Sequence, residues 1–269
     1  DLALLKKIRN NRYDLIIHLT EGDRGAIATK ISGARYKVGF SVGSKRKQKI
    51  YTHPTKDCGQ NRHTVEKNLD TLRRIGIFPK KEEKELQFPI SSEEIQKAKD
   101  LLSFSEPFIL LHPASRWRFK CWPKHHVRSC IEKLLEERER IVLVSGKDAH
   151  ETLMVKEILQ DLNHPNILNL SGKTTLKELG ALIHLSKALI CMDSISFHLA
   201  NALKTKVIAI FGPTSPITWG PWRNPKAKVV KNSFPCMPCF QDGCGGSKVS
   251  DCLVELEPEK VLSALKSSG

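Results

Sequence analysis

Asp193-Ser-Ile-Ser-Phe-His198 and Phe211-Gly-Pro-Thr-Ser-Pro216 hold the residue types from which a phosphate site is built. The apolar run from Ala188 to Met192 reads as a short buried strand ending at Asp193. A helix then begins at once, with Asp193 or Ser194 as its N-cap. His198 lies four residues past Ser194, so it projects from the first turn of that helix. Lys206 to Phe211 reads as a second buried strand, broken at Gly212-Pro213-Thr214. Strand ends, unpaired helix N–H groups and a small-residue turn thus meet in one place, where the positive end of the helix favours an anion. An ordinary βαβ unit would explain the Asp-Ser cap taken alone. His198 and the second strand-to-turn element shift the balance toward a phosphorylated ligand.

The segments after the neighbouring strands extend the set. After one comes His112-Pro-Ala-Ser115-Arg116, then Lys120 and Trp122-Pro123. After the next comes Gly146-Lys-Asp148, and after a third Ser171-Gly-Lys-Thr174-Thr175. Hydroxyls, glycine backbone, cations and a helix N-terminus suit a diphosphate, and Asp148 stands where a carboxylate accepts from a ribose diol. Each piece has a bland counterpart: Lys120 as a surface lysine, Gly146-Lys-Asp148 as a plain turn. Ser171-Gly-Lys-Thr lacks the upstream glycine of a P-loop, which excludes a Walker A site. The joint placement carries the reading, because an open parallel sheet binds ligands beyond the carboxyl ends of its strands.

The elements that must position these residues alternate regularly in the second half. Strand Phe108–His112 leads to helix Pro123–Glu137, and strand Ile141–Ser145 to helix Ala149–Gln160. Strand Ile167–Leu170 precedes helix Leu176–Leu185; the strands ending at Asp193 and Gly212 come next, and Pro258 opens a last helix to Lys266. Crossovers of this length imply a parallel, doubly wound α/β sheet. Upstream, Tyr13–Leu19 and Tyr36–Phe40 read as strands, Arg24–Ile31 and His63–Ile75 as helices, Lys45–Gly59 as a basic loop, and Leu86–Pro89 as a strand. These elements make an α/β domain with few strands. The chain divides into an N-terminal domain over 1–90, a C-terminal domain over 103–257 and a helix over 258–269, with a helix from Ser91 between the domains.

Hydrophobic residues make up 40% and charged residues 27%, the balance of an ordinary soluble protein, and no apolar run is long enough to span a bilayer. The net charge is +15, and residues 1–90 carry 20 Lys and Arg against 10 Asp and Glu, which places most of the excess there. That surface, densest at Ser44-Lys-Arg-Lys-Gln-Lys49, suits a nucleic acid, an anionic membrane face or an anionic glycolipid, or is a solvated loop. Nothing looks secreted, so the cysteines are expected to be reduced thiols in the cytoplasm. The start, Asp1-Leu-Ala-Leu-Leu-Lys-Lys7, has no signal-peptide shape and no initiator Met, and we expect the natural domain to begin upstream of it.

Taken together, His112-Pro-x-Ser115, Lys120-x-Trp-Pro123, Gly146-x-Asp148, Asp193-Ser-x-x-x-His198-x-Ala200 and Phe211-Gly-Pro-Thr-x-Pro216 resemble the ADP-heptose:lipopolysaccharide heptosyltransferases of glycosyltransferase family 9. Tyr13-Asp-Leu-Ile-Ile17, Gly33-Ala-Arg35, Val38-Gly-Phe40 and His63-x-Val-Glu-x-Asn-Leu69 extend the resemblance over nearly the whole chain. The stretch from Cys236 to Cys252 looks most like the heptosyltransferase III branch. The resemblance implies a GT-B fold, two Rossmann-like domains facing across a cleft, and inverting, metal-independent transfer with no cofactor beyond the ADP-heptose donor. It implies a lipopolysaccharide-core acceptor on the N-terminal domain, a peripheral place on the cytoplasmic face of the inner membrane, and no nucleic acid. By motif position, Ser115 and Lys120 hold the diphosphate, helped by the amides of Ser194 and Ile195 after Asp193, and Arg116 is a further donor-binding residue. Lys120 stabilises the leaving group, Asp148 takes the ribose, the backbone near Thr174 the adenine, and His198 and Thr214 line the pyrophosphate and sugar, with Gly212 a further donor-binding residue. Two departures stand out. The family loop expected to carry the general base falls before Asp1, and the spacing from Arg116 to Lys120 is one residue longer than in heptosyltransferase I.

Two rival readings remain. Cys236-x-x-Cys239, Cys244 and Cys252 place four thiols within 17 positions, a pattern that suggests structural zinc and, with the basic first half, a zinc-stabilised nucleic-acid-binding protein. Against it, Cys244 and Cys252 are separated by seven residues, and no basic helix interleaved with aromatics accompanies them. The second rival is another GT-B enzyme with a different nucleotide sugar, since nothing in the sequence reads the base.

Overall fold

A computed structural model describes residues 2–20, 22–40, 48–56 and 62–267. The chain forms two compact units, Asp1–Lys84 and Glu85–Gly269. The division falls earlier than residue 90 because the segment from Glu85 onward packs with the second unit. Helix Ser92–Leu101, held at its start by a reciprocal Ser91–Glu94 capping box, buries Ala98 there.

The first unit holds a parallel three-stranded sheet, β1 (Leu15–His18), β2 (Tyr36–Phe40) and β3 (His53–Thr55), in that spatial order. Helices Leu2–Asn10, Asp23–Ile31 and Thr64–Arg73 belong to it. Within the expected basic loop over 45–59, His53–Thr55 form a strand: Val38 faces His53 and Phe40 faces Thr55. Pro54 hides this strand from a propensity reading, yet proline is tolerated on a sheet edge, where one side of the strand needs no ladder donor. Residues 45–47 and 57–59 of that segment lie outside the described residues.

The second unit is a six-stranded parallel sheet of β4 (Phe108–His112), β5 (Arg140–Leu143), β6 (Ile167–Asn169), β7 (Ala188–Met192), β8 (Val207–Ile210) and β9 (Ala227–Val230). The spatial order is β6-β5-β4-β7-β8-β9, so the winding reverses between β4 and β7. Every residue of β4, β7 and β8 is buried, as their unbroken apolar runs require of strands covered on both faces. One face packs Ile109, Leu111, Ile190 and Ile208 against helices Lys124–Glu136, Ala149–Ile158 and Pro258–Lys266. The other packs Leu110, Leu189 and Val207 against helices Leu176–Leu185 and Ile195–Leu203. The last helix belongs to this core: Val261, Leu262 and Leu265 are buried.

Leu86–Pro89 is no strand. Phe88 instead packs on Gly180, where a Cβ would stand 2.4 Å from its ring, and Lys177 Nζ sits 4.9 Å from the ring centre. The apolar alternation there serves packing on a helix rather than a ladder.

Candidate functional site

The reversal between β4 and β7 opens a crevice beyond the strand ends, the place where doubly wound sheets bind ligands. A cavity of about 610 Å³ occupies it. The segment after β4 contributes His112, Ser115, Arg116, Trp117 and Lys120; the segment after β5 contributes Ser145, Gly146 and Glu151. Thr174 and Thr175 come from beyond β6, Asp193, Ser194, Ile195 and His198 from beyond β7, and Leu176, Leu179 and Trp219 complete the wall.

The charged centre is a shared oxygen. Asp193 Oδ2 accepts from Lys120 Nζ at 2.7 Å and from Thr214 Oγ1 at 2.7 Å. Asp193 is 4% exposed and Lys120's side chain 18%, so the pair is largely desolvated, with one side of the ammonium turned to the cavity. Lys120 ends a short 3-10 turn, Arg118–Lys120, and the Trp two residues later anchors it. Trp122 is fully buried, and its indole N–H donates to the Leu256 carbonyl at 2.8 Å. An ammonium carries three donors, and the carboxylate uses one of them. The remaining two can serve an anion in the cavity that Lys120 lines.

Helix Ile195–Leu203 starts at the same spot with Ser194 as N-cap but without a side-chain cap bond. Ser194 Oγ lies 2.9 Å from Ser196 Oγ instead; the Phe197 N–H donates to the Ser194 carbonyl at 3.2 Å, and the Ile195 and Ser196 N–H groups are left for another acceptor. His198 stands on that first turn, in edge contact with the Trp219 ring at 6.3 Å. On the far wall Thr175 caps helix Leu176–Leu185 in a capping box with Glu178, which leaves the Thr174 backbone at the rim beside Leu176 and Leu179.

Asp148 stands apart from the cavity. It is exposed, and its carboxylate caps helix Ala149–Ile158 by accepting from the His150 N–H at 2.9 Å. The carboxylate that lines the cavity is Glu151, one turn further on. Its Oε2 accepts from the Gly146 N–H at 2.8 Å, an approach that a side chain at Gly146 would crowd, since a Cβ there would stand 3.0 Å from that oxygen. The His112 imidazole beside it holds the Glu151 carboxyl below the usual carboxylate range, against the opposing effect of burial and with help from the Gly146 N–H. Sequence reasoning passed over Glu151 because Asp148-Ala-His-Glu151 has the form of a capping box, in which the glutamate is structural. Here that glutamate turns back past the cap to Gly146 and into the cavity.

Gly212 is likewise outside the lining. It is buried against Leu253, where a Cβ would meet Cδ1 at 2.8 Å, and Thr214 acts from behind, on Asp193. Of the cysteines, Cys236 and Cys244 are exposed, Cys239 is half-buried and Cys252 is buried with its thiol pushed up to about 11 by desolvation. Among the described residues no three His, Cys, Asp or Glu side chains are placed to hold a metal ion.

The first unit has a cavity of its own, about 590 Å³, lined by Lys56, Arg62, Arg73 and Arg74 with Asp70 as the acidic side chain. Arg62 and Arg73 both bond Asp70, which fixes their guanidinium groups in place. No helix among the described residues is long and apolar enough to cross a membrane.

Comparison with known proteins agrees with this architecture. Lipopolysaccharide heptosyltransferase 3 of Escherichia coli is 31% identical over 239 residues, 87% of this chain and 70% of that protein. The structure of the E. coli ADP-heptose lipopolysaccharide heptosyltransferase II superposes with a TM-score of 0.78 at 22% identity, over 98% of this chain and 79% of the other. The E. coli heptosyltransferase WaaC with ADP gives a TM-score of 0.71 at 19% identity, over 100% and 77%. Both have the α/β fold with parallel sheets found here. Residues 2–249 match glycosyltransferase family 9 (heptosyltransferase), and the chain belongs to that family.

Proposed function

We propose that the second unit binds ADP-heptose in the switch-point cavity and that the chain transfers the heptose, with inversion, to the inner core of lipopolysaccharide. The observation that carries this reading is the Lys120–Asp193–Thr214 cluster beside an uncapped helix N-terminus. Such a site neutralises a diphosphate as its negative charge grows. In the reaction a base takes the proton of an acceptor hydroxyl, the oxygen attacks the anomeric carbon, and ADP leaves from the opposite face. Lys120, the amides of Ser194 and Ile195, and Ser115 receive the charge of the departing diphosphate, and each preorganised donor of this kind is worth about 3 kcal/mol in a dry site. Asp193 serves this chemistry by holding Lys120 in position. Its Oδ2 is taken up by Lys120 and Thr214, which suits it poorly to remove a proton.

Glu151 takes the ribose diol in this reading, because its carboxylate lines the cavity while that of Asp148 is spent on a helix cap. Thr174, Leu176 and Leu179 offer a rim for the base, and His198 with Trp219 borders the sugar. The acceptor's anionic groups meet the basic first unit, and the enzyme works at the cytoplasmic face of the inner membrane. A relative solved with ADP supports adenine as the base. The test is a thermal-shift comparison of ADP, UDP and GDP, then transfer assays with ADP-heptose. Stabilisation by ADP above the others is expected. Equal stabilisation by all three would leave the base unread and favour a different nucleotide sugar.

A further inference from the structure

The inner wall of the cavity holds a polar atom that neither the diphosphate nor the sugar accounts for. His112, the last residue of β4, is 4% exposed, and its Nε2 is buried without a hydrogen-bond partner. Its other ring nitrogen, Nδ1, lies 2.8 Å from Ser196 Oγ. Facing Nε2 is Glu151 Oε2 at 3.8 Å, farther than a hydrogen bond reaches.

Physical chemistry narrows what this arrangement does. A lone pair on Nε2 aimed at a carboxylate oxygen would be repelled, so Nε2 carries the ring hydrogen and Nδ1 is the acceptor. Ser196 then donates to Nδ1, and Ser194, 2.9 Å from Ser196, donates to Ser196 in turn. Nε2 is closed off from solvent, so a ligand in the cavity cannot reach it. The carboxylate of Glu151 is the acceptor that faces it. A shift of roughly 0.6 Å or more brings the two to ordinary hydrogen-bond distance.

We infer that His112 is a positioning residue for the nucleotide's ribose, donating from Nε2 to Glu151 so that the carboxylate presents a fixed face to the diol. This rests on the reading of Glu151 as the ribose acceptor. A buried donor left unsatisfied costs free energy, which is recovered when a bound diol draws the carboxylate onto it. The line from Ser194 through Ser196 and His112 to Glu151 also ties the phosphate end of the cavity to the ribose end.

The test uses the full chain labelled with 15N-histidine, first without any substitution. The His112 ring is expected as the Nε2–H tautomer, with its Nε2 proton moving downfield when ADP is added. Glu151→Gln should abolish that movement. Calorimetry then compares ADP with 2′,3′-dideoxy-ADP. His112→Phe should weaken ADP about 10-fold, the weight of one buried hydrogen bond to a charged group. It should leave the dideoxy nucleotide unchanged and add nothing on a Glu151→Gln background. His112→Gln, whose amide nitrogen can stand in for Nε2, should recover most of the affinity. An Nδ1–H tautomer, or equal losses for both nucleotides in His112→Phe, would overturn the inference. Should wild-type protein bind dideoxy-ADP as tightly as ADP, the ribose reading fails, and with it the ribose role of His112. The pairing with Glu151 is then decided by the ring spectrum alone.

Discussion

One carboxylate oxygen of Asp193 governs the site's electrostatics, because it accepts from Lys120 and Thr214 together. Removing the lysine takes away a phosphate partner and strands a buried anion at the place where phosphate must bind. Lys120→Ala is therefore expected to weaken ADP about 10- to 100-fold, the range of a charge-assisted hydrogen bond, and to weaken adenosine far less. Calorimetry with both ligands decides it, and equal losses would remove Lys120 from the phosphates. Glu151 gives a pH-dependent prediction. Its carboxyl is held below the usual range in the folded protein. A depressed native value adds stability that is present above the unfolded value and lost as pH falls through the native one. Wild type should thus exceed Glu151→Gln in urea midpoint at pH 7, and the gap should narrow toward pH 3. Much of this was legible in the sequence. Ser115, Lys120, Asp193, Ser194 and His198 come after strand ends, and strand ends are visible as breaks in apolar runs. Asp148 misled because a carboxylate just before a helix caps that helix before it does anything else. Glu151 and His112 matter through a fold-dependent approach that spacing does not encode.

Among the elements, the strands that form the floor of the site were readable because burial on both faces leaves an uninterrupted apolar signature. The edge strands β3 and β9 were not. His53-Pro-Thr55 and Ala227-Lys-Val-Val230 are short and partly exposed, and their pairing is set by the neighbouring strand more than by their own composition. Pro258–Lys266 was readable as a helix, from its proline at the first position, but not as part of the core. Leu262 is 6% exposed and packs with the face that also carries Leu111 and Ile190, under the strands that deliver His112 and Asp193. Leu262→Ala should cost about 2–4 kcal/mol, measured by urea unfolding of the full chain, and ADP binding by the fraction still folded should change little.

At the scale of the whole molecule, charge and ligand chemistry are divided between the units. The cavity proposed for the donor is lined by residues of the second unit, while the first unit, residues 1–84, carries 20 Lys and Arg against 9 Asp and Glu. Binding to micelles of anionic lipopolysaccharide core should weaken as salt rises from about 0.05 to 0.5 M, over which the screening length falls from roughly 14 to 4 Å, while ADP binding changes much less. Parallel loss of both would argue that the two are not separate surfaces. The distribution of tryptophan carries one more consequence, an optical one. Trp122 is sealed in the core, whereas Trp117 and Trp219 are 53% and 38% exposed on the cavity wall. Excited at 295 nm, the wall indoles emit from a wet surface that a bound nucleotide covers, and Trp122 supplies a constant background. Adding ADP should shift the emission to shorter wavelength or quench it, and Trp117→Phe and Trp219→Phe should each remove part of that change. Trp222 is not among the residues lining the cavity, and Trp222→Phe should leave the change whole. The protein would then report the occupancy of its own donor site without a label.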